Sequence, residues 1–196
     1  MMEQSDITLN PAAIDTTTVS PQVTAANAQL KQLGAQTQPW WEVGVQRYRD
    51  MRRNGEGVWP KPIILDGTPA QVPSRDSGRT IPIRIMRPDA EVKIKSVIMY
   101  IHGGGWVLMA EDLYDSLLKQ IANGTDSLVV SVGYRLAPEN PWPAGSNDCN
   151  DVADWLVDNA VKEYGASLQF IGGDVNNPTP FSFSSPLTSP SPPAAT

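Results

Sequence analysis

A single histidine, His102, and a single cysteine, Cys149, stand in this chain of 196 residues. One cysteine excludes an internal disulfide framework and gives no reason to expect an oxidising compartment. One imidazole leaves a single side chain whose ordinary pKa lies near neutrality. Positive charge is also scarce: 15 Lys and Arg against 21 Asp and Glu give a formal charge of −6. That balance argues against nucleic acid or an anionic membrane surface as the main partner. The longest apolar run, Val97-Ile98-Met99-Tyr100-Ile101, is far too short to span a bilayer. The N-terminus, MMEQSDITLNPAA, has neither a basic n-region nor an apolar h-region. No signal peptide is expected from it, and the expected location is cytoplasmic.

What is present suits one soluble domain, with 40% hydrophobic and 18% charged residues. Residues 1–24, rich in Thr, Ser, Gln and Ala, are expected to form a flexible arm. Over 25–55 two weak helices are expected, either docked on the core as ordinary helices or forming a cap or flap. In the second, Trp41, Val45, Tyr48 and Met51 share one helical face. Gly55 to Gly78 is rich in Pro and Gly and is expected to be loop. The segment 56–174 carries the strong signals. Thr80 to Ile85 alternates as a half-buried strand does, and Pro82 points to a sheet edge. Lys95 to Ile101 and Leu128 to Val132 are continuous β-prone runs, as expected of strands covered on both faces. Leu113, Leu117, Leu118 and Ile121 have helical spacing, as do Cys149, Val152, Leu156 and Ala160, with Gly165 as a stop. Asp148 and Asp151, near the start of that last helix, are expected to face its positive dipole end. Leu168-Gln169-Phe170-Ile171 is a further short strand. Strand, helix, strand, helix, strand with short links implies parallel pairing and an α/β sheet.

The sharpest motif is His102-Gly103-Gly104-Gly105-Trp106, placed directly after a buried strand. Consecutive glycines leave backbone N–H groups unshielded and permit positive φ. Two such N–H groups can converge on the oxyanion of a tetrahedral acyl-transfer intermediate. A glycine turn without a ligand is the plain alternative. A phosphate loop is disfavoured, because neither GxGxxG nor GxxxxGK[ST] occurs.

With the block Tyr134-Arg135-Leu136-Ala137-Pro138-Glu139, then Pro141-Trp142-Pro143-Ala144, and with Ile171-Gly172-Gly173-Asp174, this motif resembles the hormone-sensitive-lipase-like carboxylesterases of the α/β-hydrolase fold. The resemblance covers roughly Pro60 to Asp174. It implies the N-terminal half of an α/β-hydrolase fold, a mostly parallel sheet with flanking helices, acting on small carboxylic esters. It implies no metal and no organic cofactor, and it leaves the oligomeric state open. By the same resemblance Gly103 and Gly104 supply the oxyanion donors, and His102, Gly105, Trp106 and Asp174 support the motif. Arg135 and Glu139 anchor the loop after the strand, and the base of such enzymes lies well beyond His102.

The sequence departs from that pattern after Asp174, where Val175-Asn176-Asn177-Pro178 replaces the Ser-Ala-Gly-Gly of the nucleophile elbow. Valine has no nucleophilic atom. Residues 175–196 contain no Asp, Glu or His, and their Ser, Pro and Thr content is that of a disordered tail. The expectation is a chain truncated at the elbow, with no catalytic residue present and no hydrolase activity. Translation past a splice donor after Asp174 would account for the change of character. A non-catalytic small-molecule-binding module of the same fold is the alternative.

Overall fold

The structure, a computed structural model, describes residues 19–174. Most of the expected arm, the expected tail and Val175 lie outside the described residues. The first helix, α1 (Pro21–Gln36), begins inside the stretch expected to be an arm, with Ser20 as its N-cap and Pro21 in its first turn. No residue of it is buried.

Two further short helices replace the single second one expected. α2 (Trp40–Val43) and α3 (Val45–Asn54) are separated by Gly44, which sits at φ 86° and interrupts the helical path. The shared face therefore breaks: Trp41 is 69% exposed in α2, while Tyr48 and Met51 are half-buried in α3. α3 ends on Gly55 in the left-handed conformation, with Arg52 and Arg53 in its last turn.

Five strands pair in the order β1-β2-β4-β3-β5. β1 (Thr68–Pro73) lies in the stretch expected to be loop. Its pairing with β2 (Thr80–Met86) is antiparallel, and only Val72 of it is buried, so it lacks the alternating pattern that marks a strand in sequence. β1 takes the edge that Pro82 was expected to mark. β2 is interior, and Pro82 stands one residue before its ladder with β4 (Leu128–Val132) begins at Ile83. β3 (Val97–Ile101) pairs in parallel with β4 on one side and β5 (Leu168–Gly173) on the other.

Both faces of the sheet are covered, and the alternation of β3 divides its side chains between them. Val97, Met99 and Ile101 face α5 (Ala144–Tyr164), whose Cys149, Val152, Leu156 and Ala160 are fully buried. Tyr100, with Ile98 packed alongside, faces α4 (Asp115–Thr125) at Leu118 and Ala122. Gly165 closes α5 in the left-handed conformation, as expected.

The acidic residues of α5 do not cap it. Pro143 is the N-cap, and Asp148 lies in the second turn, fully buried. Asp148 accepts from the backbone N–H of Arg135 at 3.0 Å and pairs with the guanidinium groups of Arg135 and Arg79. Asp151 pairs with Arg75 at 2.6 Å. The partners lie 13 to 76 residues away in sequence, so no local pattern announced them. Asp115 is buried likewise, held by Arg84 at 2.6 and 2.7 Å and by the N–H of Leu65 at 2.8 Å. Such buried carboxylates need these partners, because an unpaired charge in the interior costs several kcal/mol, roughly 3–5 when a partner is removed.

Candidate active site

β3 and β5 run in parallel, so their carboxyl ends open on one edge of the sheet, the edge where α/β proteins bind ligands. The glycine bend leaves the end of β3, and Asp174 follows the end of β5. Both border a cleft of about 480 Å³, with Gly104, Leu108 and Met109 on one wall and Asp174 and Tyr114 also lining it. Tyr48 and Arg52 of α3, with Trp59 beyond it, form the opposite wall.

The bend has a backbone that few sequences tolerate. Gly104 has φ 111°, and a Cβ there would lie 2.4 Å from the carbonyl oxygen of Leu108. Trp106 and Met109 also have positive φ, 63° and 74°, which is costly for bulky residues and persists only where packing fixes it. The fixing is visible. The carbonyl of Gly104 accepts from the N–H groups of Val107 and Leu108, and that of Trp106 accepts from Ala137 at 2.9 Å. The indole of Trp106 tilts against Tyr134 with ring centroids 4.9 Å apart.

His102 lies beneath the bend, 1% exposed. Its ring stacks on Tyr134 at 4.2 Å, and its Nδ1 lies 2.8 Å from the carbonyl oxygen of Gly103. Tyr134 donates its hydroxyl to the carbonyl of His102 at 2.7 Å. Burial lowers the pKa of the imidazole to about 4, against smaller opposing effects of the Gly103 carbonyl and the Asp174 charge. At neutral pH the ring is uncharged and occupied with the backbone of the turn. With these contacts satisfied, Gly103 is buried and Gly104 half-buried, and neither N–H has an acceptor among the described residues. A buried N–H without a partner is rare, and at the wall of a cleft it marks a place for an acceptor.

Asp174 follows β5 and lines the cleft, its N–H donating to the carbonyl of Ile101 at 3.3 Å. Burial, and next the Asp174 carboxylate, push the phenols of Tyr100 and Tyr114 above their ordinary range. The Tyr100 hydroxyl is buried without a hydrogen-bond partner among the described residues.

α3 is fastened to this site by two clamps. Arg49 donates to the carbonyls of Val107 and Ala137, each at 2.8 Å, and makes a bidentate pair with Glu139 at 2.9 and 3.0 Å. Arg53 makes a second bidentate pair with Asp112 at 2.7 and 3.0 Å. Arg135 and Glu139 thus hold the loop after β4, the first through Asp148 of α5 and the second through Arg49 of α3. Sequence reasoning had no role for Arg49, Arg52, Trp59, Tyr114 or the stacking of Tyr134. The only hint was the density of arginine in Val45–Asn54, which an apolar-face reading passes over.

Among the described residues, no group of three or more His, Cys, Asp and Glu could hold a metal ion. No helix there is long and apolar enough to cross a membrane.

Residues 98–175 match the alpha/beta hydrolase fold family. The chain is 39% identical over 94 residues to a carboxylesterase, NlhH, of Mycobacterium tuberculosis, a match covering 48% of this chain and 27% of that protein. It is 34% identical over 126 residues to the carboxylic ester hydrolase LipN of the same organism, covering 63% and 33%. Among solved structures, a hyperthermophilic esterase from the archaeon Pyrobaculum calidifontis superposes with a TM-score of 0.64 at 30% identity, over 80% of this chain and 49% of that one. A bend, a parallel sheet edge and two covering helix layers define an α/β hydrolase. The chain has that fold, and over residues 98–175 it is similar to the α/β-hydrolase family, with carboxylesterases among the proteins it resembles. It spans a third or less of the length of these two curated relatives and about half of the solved one.

Proposed function

We propose that the cleft receives a small carboxylic ester, and that this chain binds such esters without hydrolysing them. The observation that carries the reading is the pair of N–H groups, on Gly103 and Gly104, left without acceptors among the described residues in the bend whose Gly104 lines the cleft. An ester carbonyl is the acceptor such a pair is shaped for, and the donors strengthen their hold as its oxygen gains charge. His102, Gly105 and Trp106 give the bend its shape, and Asp174 brings β5 to the same edge. The esterase relatives support ester chemistry as the class.

The absence of turnover follows from residue 175. Valine offers neither hydroxyl nor thiol, so no acyl-enzyme forms at that position, whatever follows it. His102 is no substitute: it is buried, neutral and held by Gly103 and Tyr134. A cytoplasmic location and chemistry that needs no cofactor complete the reading. Binding without chemistry is favoured over an inert product by one feature, the cleft itself, which the described residues line from Tyr48 to Asp174.

The test is hydrolysis of p-nitrophenyl acetate and butanoate by the purified chain. The expected rate equals the protein-free blank and that of the His102→Ala variant. Turnover above both would overturn the inactive reading, and saturable binding of ethyl butanoate by tryptophan fluorescence supports the binding one.

A further inference from the structure

Three arginines in the last six residues of α3 differ in what they do. Arg49 and Arg53 are spent on Glu139 and Asp112, and these pairs fix the helix beside the bend. Arg52 lies between them in sequence, on the cleft wall, and has no carboxylate partner among the described residues. Its guanidinium lies over the ring of Trp59 at 5.5 Å, and among the described residues its only hydrogen bond is a long one, 3.5 Å, to the carbonyl of Pro60. Most of its five donors are therefore free, on a helix that cannot easily swing away.

We propose that Arg52 selects esters that carry a carboxylate, such as the half-esters of short dicarboxylic acids, by receiving that carboxylate at the α3 wall while the ester carbonyl sits at the bend. The proposal rests on the ester-binding reading of the same cleft and names its substrate class. A planar guanidinium suits a carboxylate bidentately, and such charge-assisted bonds are stronger than neutral ones. The indole of Trp59 lies within cation–π reach of the guanidinium and helps to hold it at the cleft.

The other charge in the cleft sets the direction of the ligand. Asp174 acts on Tyr100, Tyr114 and His102, at the sheet edge, and repels an anion from there. The groups facing Arg52 are the phenols of Tyr48 and Tyr114. With Asp174 and Arg52 both lining the cleft, a half-ester is oriented with its carboxylate toward Arg52. A neutral ester gains nothing from the wall.

The experiment titrates monoethyl succinate and ethyl butanoate, two esters of similar length, into the full chain and follows tryptophan fluorescence. The half-ester is expected to bind roughly tenfold tighter at low salt. The ratio should fall to about one in Arg52→Gln and stay partly above one in Arg52→Lys, which keeps the charge without the fork. Circular dichroism of each variant, matching that of the native chain, checks the fold. Equal binding of both esters to the native chain, or an unchanged ratio in Arg52→Gln, overturns the proposal and leaves the ester-binding reading standing. Binding of neither ester overturns both.

Discussion

The central strand β3 has two neighbours of opposite character. β4, on one side, is buried at all five positions and backed by β2 and β1. β5, on the other, pairs with β3 alone among the described residues, and of its side chains only Leu168 is buried while Phe170 is 62% exposed. Both are parallel strands of similar length beside the same partner. The difference teaches that the cleft is assembled from unequal halves: the bend rests on a closed flank, and Asp174 rests on an open one. An open apolar edge also invites pairing with other chains, which is the expectation for this protein at high concentration.

The largest effect should separate the flanks by burial. Leu156→Ala, in α5 and fully buried, is expected to cost about 3 kcal/mol, read from urea denaturation. Phe170→Ala on β5 is expected to stay within about 0.5 kcal/mol. A comparable loss from both would mean that β5 is covered, and the contrast would dissolve.

A finer separation uses two close approaches of backbone. A Cβ at Gly104 would meet the oxygen of Leu108 at 2.4 Å, and one at Gly173 would meet that of Ile101 at 2.0 Å. Distance alone makes Gly173→Ala the worse substitution. Gly104 also has φ 111° and sits in a bend held by the hydrogen bonds of its Gly104 and Trp106 carbonyls, whereas β5 pairs with β3 alone among the described residues. Gly104→Ala is therefore expected to cost about 2 kcal/mol by thermal unfolding, and Gly173→Ala less. The reverse order would show the open flank to be as rigid as the closed one.

The smallest effect concerns pH and belongs to the closed flank. Burial holds the His102 imidazole near 4 in the folded chain, below its ordinary 6.5. The unfolded chain therefore binds more protons between those values, so stability is full above the upper one and falls with acidification through the window. At pH 5.5 the loss from this group should be roughly 1.5 kcal/mol relative to pH 8, and His102→Gln should remove that share of the slope. A variant that keeps the full slope would assign it to carboxylates elsewhere.

The parts legible in sequence were those with a strong local period. β3, β4, α5 and the glycine bend fall where apolar runs, helical spacing and three glycines put them. β1 was invisible because one buried residue makes no pattern. α2 and α3 were merged because Gly44 interrupts a stretch that still reads as helical. Asp148 and Asp115 were misjudged or missed for a different reason: their partners are distant, and burial of a charge cannot be inferred from its neighbours in the chain. Of the candidate site, the bend and Asp174 were legible, but the opposite wall was not. Arg52 and Trp59 enter it through tertiary placement of α3, which no motif encodes.

Arg49 has one more consequence. Its single side chain grips the segments after β3 and after β4 together, so a protein starting at residue 56 would lose more than a helix. The carbonyls of Val107 and Ala137 would turn to water, and the two loops would drift independently. Shape at the mouth would then have to be assembled anew by each arriving guest, slowing capture without altering a single atom that the guest touches.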